Sequence, residues 1–205
     1  YVPYFYVISD SADLTFKPRF FDDKYTLQSE YRFVTEKTEN IFDLSITKGH
    51  RSSYLDDKDS RGHFFSNTLV HLDFENFDET RLDIQLQKTN NDTYMSLFNT
   101  GGGYLTGDSA IIPISTDKLN SFVNLSTYND NMSFDTSLRV TELLGQGNTD
   151  RYQYIFPAYN LTKYIDTDNY NINGNLTFKS SGSQNLHDTN SHSLKRQLLA
   201  RKCKR

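Results

Sequence analysis

Polar and apolar side chains alternate with a period of two over long stretches of this chain. In residues 14–20 the even positions, from Leu14 to Phe20, are apolar, whereas the odd positions are polar. Successive side chains of a β-strand point to opposite sides, so this pattern predicts a strand with one apolar and one polar face. The pattern returns in five further segments: 26–33, 42–47, 63–74, 81–87 and 172–178. It predicts an all-β protein of about ten or eleven antiparallel strands.

The segments between these strands are of two lengths. The connections near 35–40, 75–79 and 115–118 are short, whereas those near 48–62 and 89–103 are long. Counted from the first strand, the long connections fall at the same end of the sheet. Transmembrane β-barrels have short turns on the periplasmic side and longer loops on the outside, so this alternation is typical of them. No stretch shows a helical stripe, apart from a short basic segment near the C-terminus.

Two architectures fit amphipathic antiparallel strands. A soluble β-sandwich buries the apolar faces between two sheets, whereas an outer-membrane barrel turns them to lipid and lines a wet lumen with the polar faces. Full charges on the polar faces and aromatic residues at strand ends favour the barrel. We therefore expect a partial antiparallel transmembrane β-barrel, with these residues facing the lumen: Lys17, Arg19, Glu30, Arg32, Arg81 and Asp83.

Composition excludes several other classes. No run of about 18 apolar residues occurs, so a transmembrane helix is not expected. Cys203 is the only cysteine, which rules out an internal disulfide and a cysteine-based zinc site. The chain does not begin with Met and shows no signal peptide, so we expect it to be a mature or excised piece.

Charge is distributed unevenly along the chain. The net charge is −4, but residues 179–205 carry +6 and residues 1–178 carry −10. An acidic body argues against nucleic acid as a partner, because phosphate binding requires a basic face. We therefore divide the chain into a barrel domain, 1–178, and a basic tail, 179–205, that we expect to be irregular or truncated. The tail could also act as a membrane-surface or nucleic-acid arm.

The residues that could carry chemistry form no catalytic or metal-binding set. His63 and His71 share the polar face of one predicted strand, but at strand rise they lie roughly 27 Å apart, too far to bind one metal. A calcium-like loop begins at Asp57, but Arg61 occupies the ligand position five and Thr68 replaces the bidentate glutamate of position twelve. We therefore expect no enzyme activity, no metal and no cofactor.

A series of short motifs resembles the barrel domain of the lipopolysaccharide-assembly family LptD, also called OstA or Imp. In order along the chain these are PYFY at 3–6, DLTFKP at 13–18, EYRF at 30–33, RGHFFS at 61–66, DTYM at 92–95 and YIFPAY at 154–159. The resemblance runs from about Pro3 to about Asn190. It implies a very large antiparallel barrel of roughly two dozen strands in the outer membrane.

The resemblance also implies a function and partners. Members of the family take lipopolysaccharide from a periplasmic Lpt bridge and deliver it to the outer leaflet, with a lipoprotein, LptE, plugging the barrel. Pro3, in the first predicted strand, and Pro18, in the second, match prolines that weaken the pairing of the first strand with the last, so they imply one side of a lateral gate for lipopolysaccharide. The surrounding membrane lipids are further expected partners.

The chain departs from the family pattern in several ways. The periplasmic jellyroll domain is missing, the strands are too few to close the family's barrel, and Cys203 does not match the family's disulfide cysteines. We therefore expect the N-terminal part of a larger barrel. Two alternatives remain, a small porin-like channel and a soluble β-sandwich binding module.

Overall fold

The computed structural model describes residues 2–20, 22, 24–52, 55–98, 113, 115–146, 150–165 and 176–187. These residues form ten strands and one five-residue helix. The strands are β1 (Tyr4–Ser9), β2 (Ala12–Phe20), β3 (Tyr25–Val34), β4 (Thr38–Ser52), β5 (Leu55–Leu72), β6 (Glu79–Thr89), β7 (Lys118–Asn129), β8 (Met132–Leu143), β9 (Tyr152–Ile165) and β10 (Leu176–His187), and the helix is α1 (Tyr94–Phe98).

All ten strands belong to a single antiparallel sheet in which each strand pairs with its neighbours in sequence. The all-β class and the antiparallel arrangement predicted from the alternation are therefore confirmed. Among the described residues β1 pairs only with β2 and β10 only with β9, so the sheet is not closed. No second sheet covers this one in that part of the chain, which is not the arrangement of a β-sandwich.

The two faces of the sheet differ in burial. Charged and polar side chains dominate the buried set, including Lys17, Glu30 and Asp43, which are at most 5% exposed. Large apolar side chains such as Leu44 and Phe64 project from the opposite face and remain exposed. Below, the polar face is the one that carries Lys17, and the apolar face is the one that carries Leu44.

The prediction of a long connection at 48–62 is wrong. β4 continues to Ser52 and β5 begins at Leu55, so these residues form the far part of a long hairpin. The alternation is lost there, and with it the sequence signal, but the ladder between two antiparallel backbones does not depend on side-chain pattern. Asp57, the start of the calcium-like segment, consequently lies within a strand.

Three further features of the fold differ from the sequence prediction. Residues 115–118 are not a separate turn but the end of the connection between β6 and β7, since β7 begins at Lys118. The helix α1, in that same connection, was not predicted because five residues are too few to show a helical stripe. β10 extends to His187, so residues 179–187 of the predicted tail belong to the sheet, and 188–205 lie outside the described residues.

Candidate functional site on the polar face

The six charged residues predicted for one face do share it. The Cα pairings run from Lys17 to Gln28, then to Ser45, His63 and Thr89, and residues paired in this way point to the same side. Glu30 and Arg32 lie on this face in β3, Arg19 in β2, and Arg81 and Asp83 in β6.

Their environments differ along the strands. Lys17 and Glu30 form a buried ion pair at 3.2 Å, and Arg19 beside them is half-buried. Arg32 donates two hydrogen bonds to Asp13, at 3.0 and 3.1 Å, in a more exposed position. In β6, Arg81 is exposed, whereas half-buried Asp83 accepts a hydrogen bond from Asn67 at 3.0 Å.

A buried polar cluster lies at the centre of this face. The carboxylate of Asp43 is fully buried and accepts hydrogen bonds from the Gln28 amide at 2.9 and 3.1 Å. It also lies 2.8 Å from Nε2 of His63, whose side chain is equally buried. A carboxylate only accepts hydrogen bonds, so Nε2 of His63 carries a proton in this arrangement. The His63 ring stacks on Phe65, with 4.1 Å between the ring centroids.

Residues 90–97, which we call the strap, cross the polar face above this cluster. Tyr94 and Met95 are fully buried, and the hydroxyls of Tyr94 and Ser45 are 2.5 Å apart. The Tyr94 ring also contacts His63, at 5.6 Å between centroids. The compact apolar core of the described residues lies here, around Phe65, Tyr94 and Met95. The strap is therefore packed against β4 and β5 rather than projecting away from the sheet.

Hydrogen bonds hold the first part of the strap to β5. Asn90 accepts a bond from the backbone N–H of Gly62 at 2.8 Å and donates one to the carbonyl of Ser60 at 3.1 Å. Arg61 donates to the hydroxyl of Thr93 at 3.1 Å. Gly62 must be a glycine, because a Cβ there would lie 2.2 Å from the backbone oxygen of Ser45. The strap is thus held to β5 at a point where the backbones of β4 and β5 approach closely.

An ion pair holds the strap from the other side. Arg151, the last residue of the connection between β8 and β9, donates to both carboxylate oxygens of Asp92 at 2.6 and 2.9 Å and also to Glu142 at 2.9 Å. The hydrogen bond from Arg151 lowers the pKa of Asp92 below its usual value, and the two carboxylates raise the pKa of Arg151. The Asp92 contribution to stability is therefore present above the ordinary carboxylate pKa and is lost as pH falls through the lowered value.

The two candidate gate prolines lie at the same end of the first two strands. Pro3 immediately precedes β1, rather than lying in it as expected, and Pro18 lies in β2. The ladder between β1 and β2 ends at the pair formed by Tyr4 and Phe16, so neither proline takes part in it. Proline has no backbone N–H, which accounts for the end of the pairing at this point.

Sequence reasoning placed His63 on the polar face but did not find its partners. Asp43 lies 20 residues away in the chain, and only the register between β4 and β5 brings the two together. Tyr94 carried no signal beyond its place in a short motif. Among the residues that the structure describes, no group of three or more His, Cys, Asp or Glu side chains could hold a metal ion.

Comparisons with known proteins add no identification. No protein-family model matches this chain, and no curated protein matches it. In the described part of the chain, no helix is long and apolar enough to span a membrane.

Proposed function

We propose that this chain is part of an outer-membrane β-barrel of the LptD type, which inserts lipopolysaccharide into the outer leaflet. The observation that carries the proposal is the inverted burial of the sheet. Lys17 and Glu30 are buried while Leu44, Ile46 and Phe64 are exposed. In water an exposed apolar sheet face is unfavourable, whereas lipid is its natural surroundings and a lumen suits the charged face.

The polar face supports a transport role better than a catalytic one. Its charges form structural pairs across neighbouring strands, such as Lys17 with Glu30 and Arg32 with Asp13. The strap lies on the same face and would narrow the lumen of a closed barrel at one end. A hydrated lumen wall that the strap partly covers suits the passage of a large amphiphile with a charged head.

The partners of the proposed function follow from the motif resemblance alone. They are lipopolysaccharide as cargo, an LptE-like lipoprotein in the lumen, and the periplasmic Lpt bridge, reached through a jellyroll domain. The apolar face would contact the lipids of the outer membrane. Loss of the protein from its cells should therefore lower surface lipopolysaccharide and raise sensitivity to large antibiotics.

Surface labelling tests the orientation of the sheet. Thr116, in the connection that contains the strap, and Glu36, in the tight turn between β3 and β4, are exposed at opposite ends of the strands. In a Cys203→Ser background, Thr116→Cys should react with a membrane-impermeant maleimide on intact cells, and Glu36→Cys only after lysis. Longer loops lie outside in such barrels, which gives the expected direction.

The pair of sites controls for expression and for leakage of the reagent. Labelling of residue 36 but not 116 on intact cells would invert the topology. Equal labelling of both sites before lysis would contradict a transmembrane sheet.

The gate proposal makes a separate prediction for the full-length protein. Pro3→Ala combined with Pro18→Ala restores two backbone N–H groups where the β1 ladder ends, and one ladder bond is worth about 1 kcal/mol net. Stronger pairing of the strands at the gate should slow lipopolysaccharide export without unfolding the barrel. Pro113→Ala, in the connection between β6 and β7, is the matched control. Unchanged surface lipopolysaccharide in the double variant would rule out a gate at these prolines.

A further inference from the structure

Three neighbouring residues beneath the strap each carry a buried polar atom without a hydrogen-bond partner. The atoms are Nε of Arg61, Nδ1 of His63 and Oγ1 of Thr89, and they make up most of the buried side-chain atoms in the described residues that lack a hydrogen bond. The three residues are at most 9% exposed. Buried polar groups are almost always hydrogen-bonded, so a local group of unpaired ones points to an occupant.

The sheet register brings the three residues together. His63 pairs directly with Thr89, and Arg61 is two positions earlier in β5 on the same face. The strap closes over them, since Thr93 accepts a hydrogen bond from Arg61 and the Tyr94 ring lies against His63. These atoms are therefore covered as long as the strap is in place.

Charge at this position favours an anion. Arg61 forms no ion pair with any side chain that the structure describes, although it is buried. The nearby acids are already engaged, Glu30 by Lys17, and Asp43 by Gln28 and His63. The same face also carries Arg19 in β2. A buried guanidinium with an unpaired N–H is well suited to bind a phosphate oxygen.

The donor set suits a phosphate group in particular. Nε of Arg61 can only donate a hydrogen bond, and the Thr89 hydroxyl can donate one as well. Because Nε2 of His63 holds a proton toward Asp43, Nδ1 accepts a hydrogen bond in the neutral ring and donates one in the charged ring. A phosphate monoester, whose second pKa is about 6, offers both bare oxygens and a P–OH group near neutral pH and matches either state.

We propose that Arg61, His63 and Thr89 form a phosphate-binding site and that the strap is its cover. With the strap down the site is closed and its polar atoms are unpaired. When the strap lifts, a phosphate group binds and pairs them. The site itself does not depend on a membrane, but its natural ligand rests on the proposed function, because lipopolysaccharide is a phosphorylated lipid.

Titration of the purified full chain in detergent tests the site. Inorganic phosphate is followed by calorimetry and by the ¹⁵N shift of His63, which the His63→Gln variant assigns. Arg61→Gln should weaken binding about tenfold or more, the usual effect of losing a charge-assisted hydrogen bond. Thr89→Val should weaken it about threefold. Tyr94→Ala, which loosens the cover, should tighten binding several-fold, because a larger fraction of molecules is open.

Arg81→Gln is the matched control, since Arg81 is exposed on the same face but far from the strap. Equal loss of affinity in Arg61→Gln and Arg81→Gln would show unspecific attraction and overturn the proposal, and so would binding that Tyr94→Ala leaves unchanged. Circular dichroism verifies that each variant is folded. Arg61→Lys, which keeps the positive charge but has no Nε, should bind phosphate with an affinity between those of the original protein and Arg61→Gln.

A second titration identifies the source of the phosphate. A phosphorylated lipid in mixed micelles should bind more tightly than inorganic phosphate if a headgroup is the ligand, and its dephosphorylated counterpart should not bind. Equal affinity for both phosphates would assign the site to free phosphate. Failure of the chain to insert into membranes would contradict the proposed function but would leave the phosphate titration unaffected.

Discussion

Replacement of Ile84 by arginine is expected to destabilise the proposed membrane-inserted barrel by about 2–4 kcal/mol, whereas the same change at Gln85 is expected to cost less than about 1.5 kcal/mol. Ile84 pairs with Val123 on the apolar face, and Gln85, the next residue, lies on the polar face. An arginine on the lipid side must be desolvated, but a lumen hydrates it. Gln85 loses only its hydrogen bond to the carbonyl of Asn120.

Reversible unfolding of the protein in lipid vesicles measures both variants. The two positions are adjacent in β6, so the difference in depth along the strand is small. Equal cost at both positions would contradict the assignment of the apolar face to lipid. A larger loss of stability in Gln85→Arg than in Ile84→Arg would indicate that the polar face contacts the lipid.

Replacement of His63 by alanine will lower the free energy of unfolding by about 3–5 kcal/mol, a cost expected when one partner of a buried pair is removed. The Asp43 carboxylate, which is fully buried, would retain only the Gln28 amide as a donor. The change also removes the ring that stacks on Phe65 and contacts Tyr94.

His71→Ala is the matched control for this variant. It lies in the same strand and on the same face, is only half-buried, and should cost about 1 kcal/mol or less. Combining His63→Ala with Asp43→Ala should recover part of the loss, because the second change removes the unpaired charge. Equal effects of the two histidine variants, measured by denaturant unfolding, would show that the pair with Asp43 contributes nothing special.

The face to which a side chain belongs was predictable from sequence. The six charged residues assigned to one side, from Lys17 to Asp83, do share it, since period two is a property of any strand. The signal failed where both faces are polar, as between Lys48 and Ser52, and there the strand persists because its partner completes the ladder. It also failed at α1, which is too short to show a period.

The cluster around Asp43 could not be predicted in the same way. Asp43 and His63 were each visible as polar-face residues, but a shift of the β4–β5 register would separate them. The contacts of the strap were harder still to predict from sequence. Tyr94 meets Ser45 from 49 residues away, and Asp92 meets Arg151 from 59 residues away. Such contacts depend on how a connection folds back, which side-chain alternation does not encode.

The sequence by itself thus determined the all-β class and the sidedness of the strands in which polar and apolar residues alternate, because these follow from local backbone geometry. The tertiary structure decided which face is buried, which residues pair across strands, and that the strap covers Arg61, His63 and Thr89. Burial and pairing arise from residues distant in the chain. They are fixed only when hydrogen bonds between strands set the register and a connection folds onto the sheet.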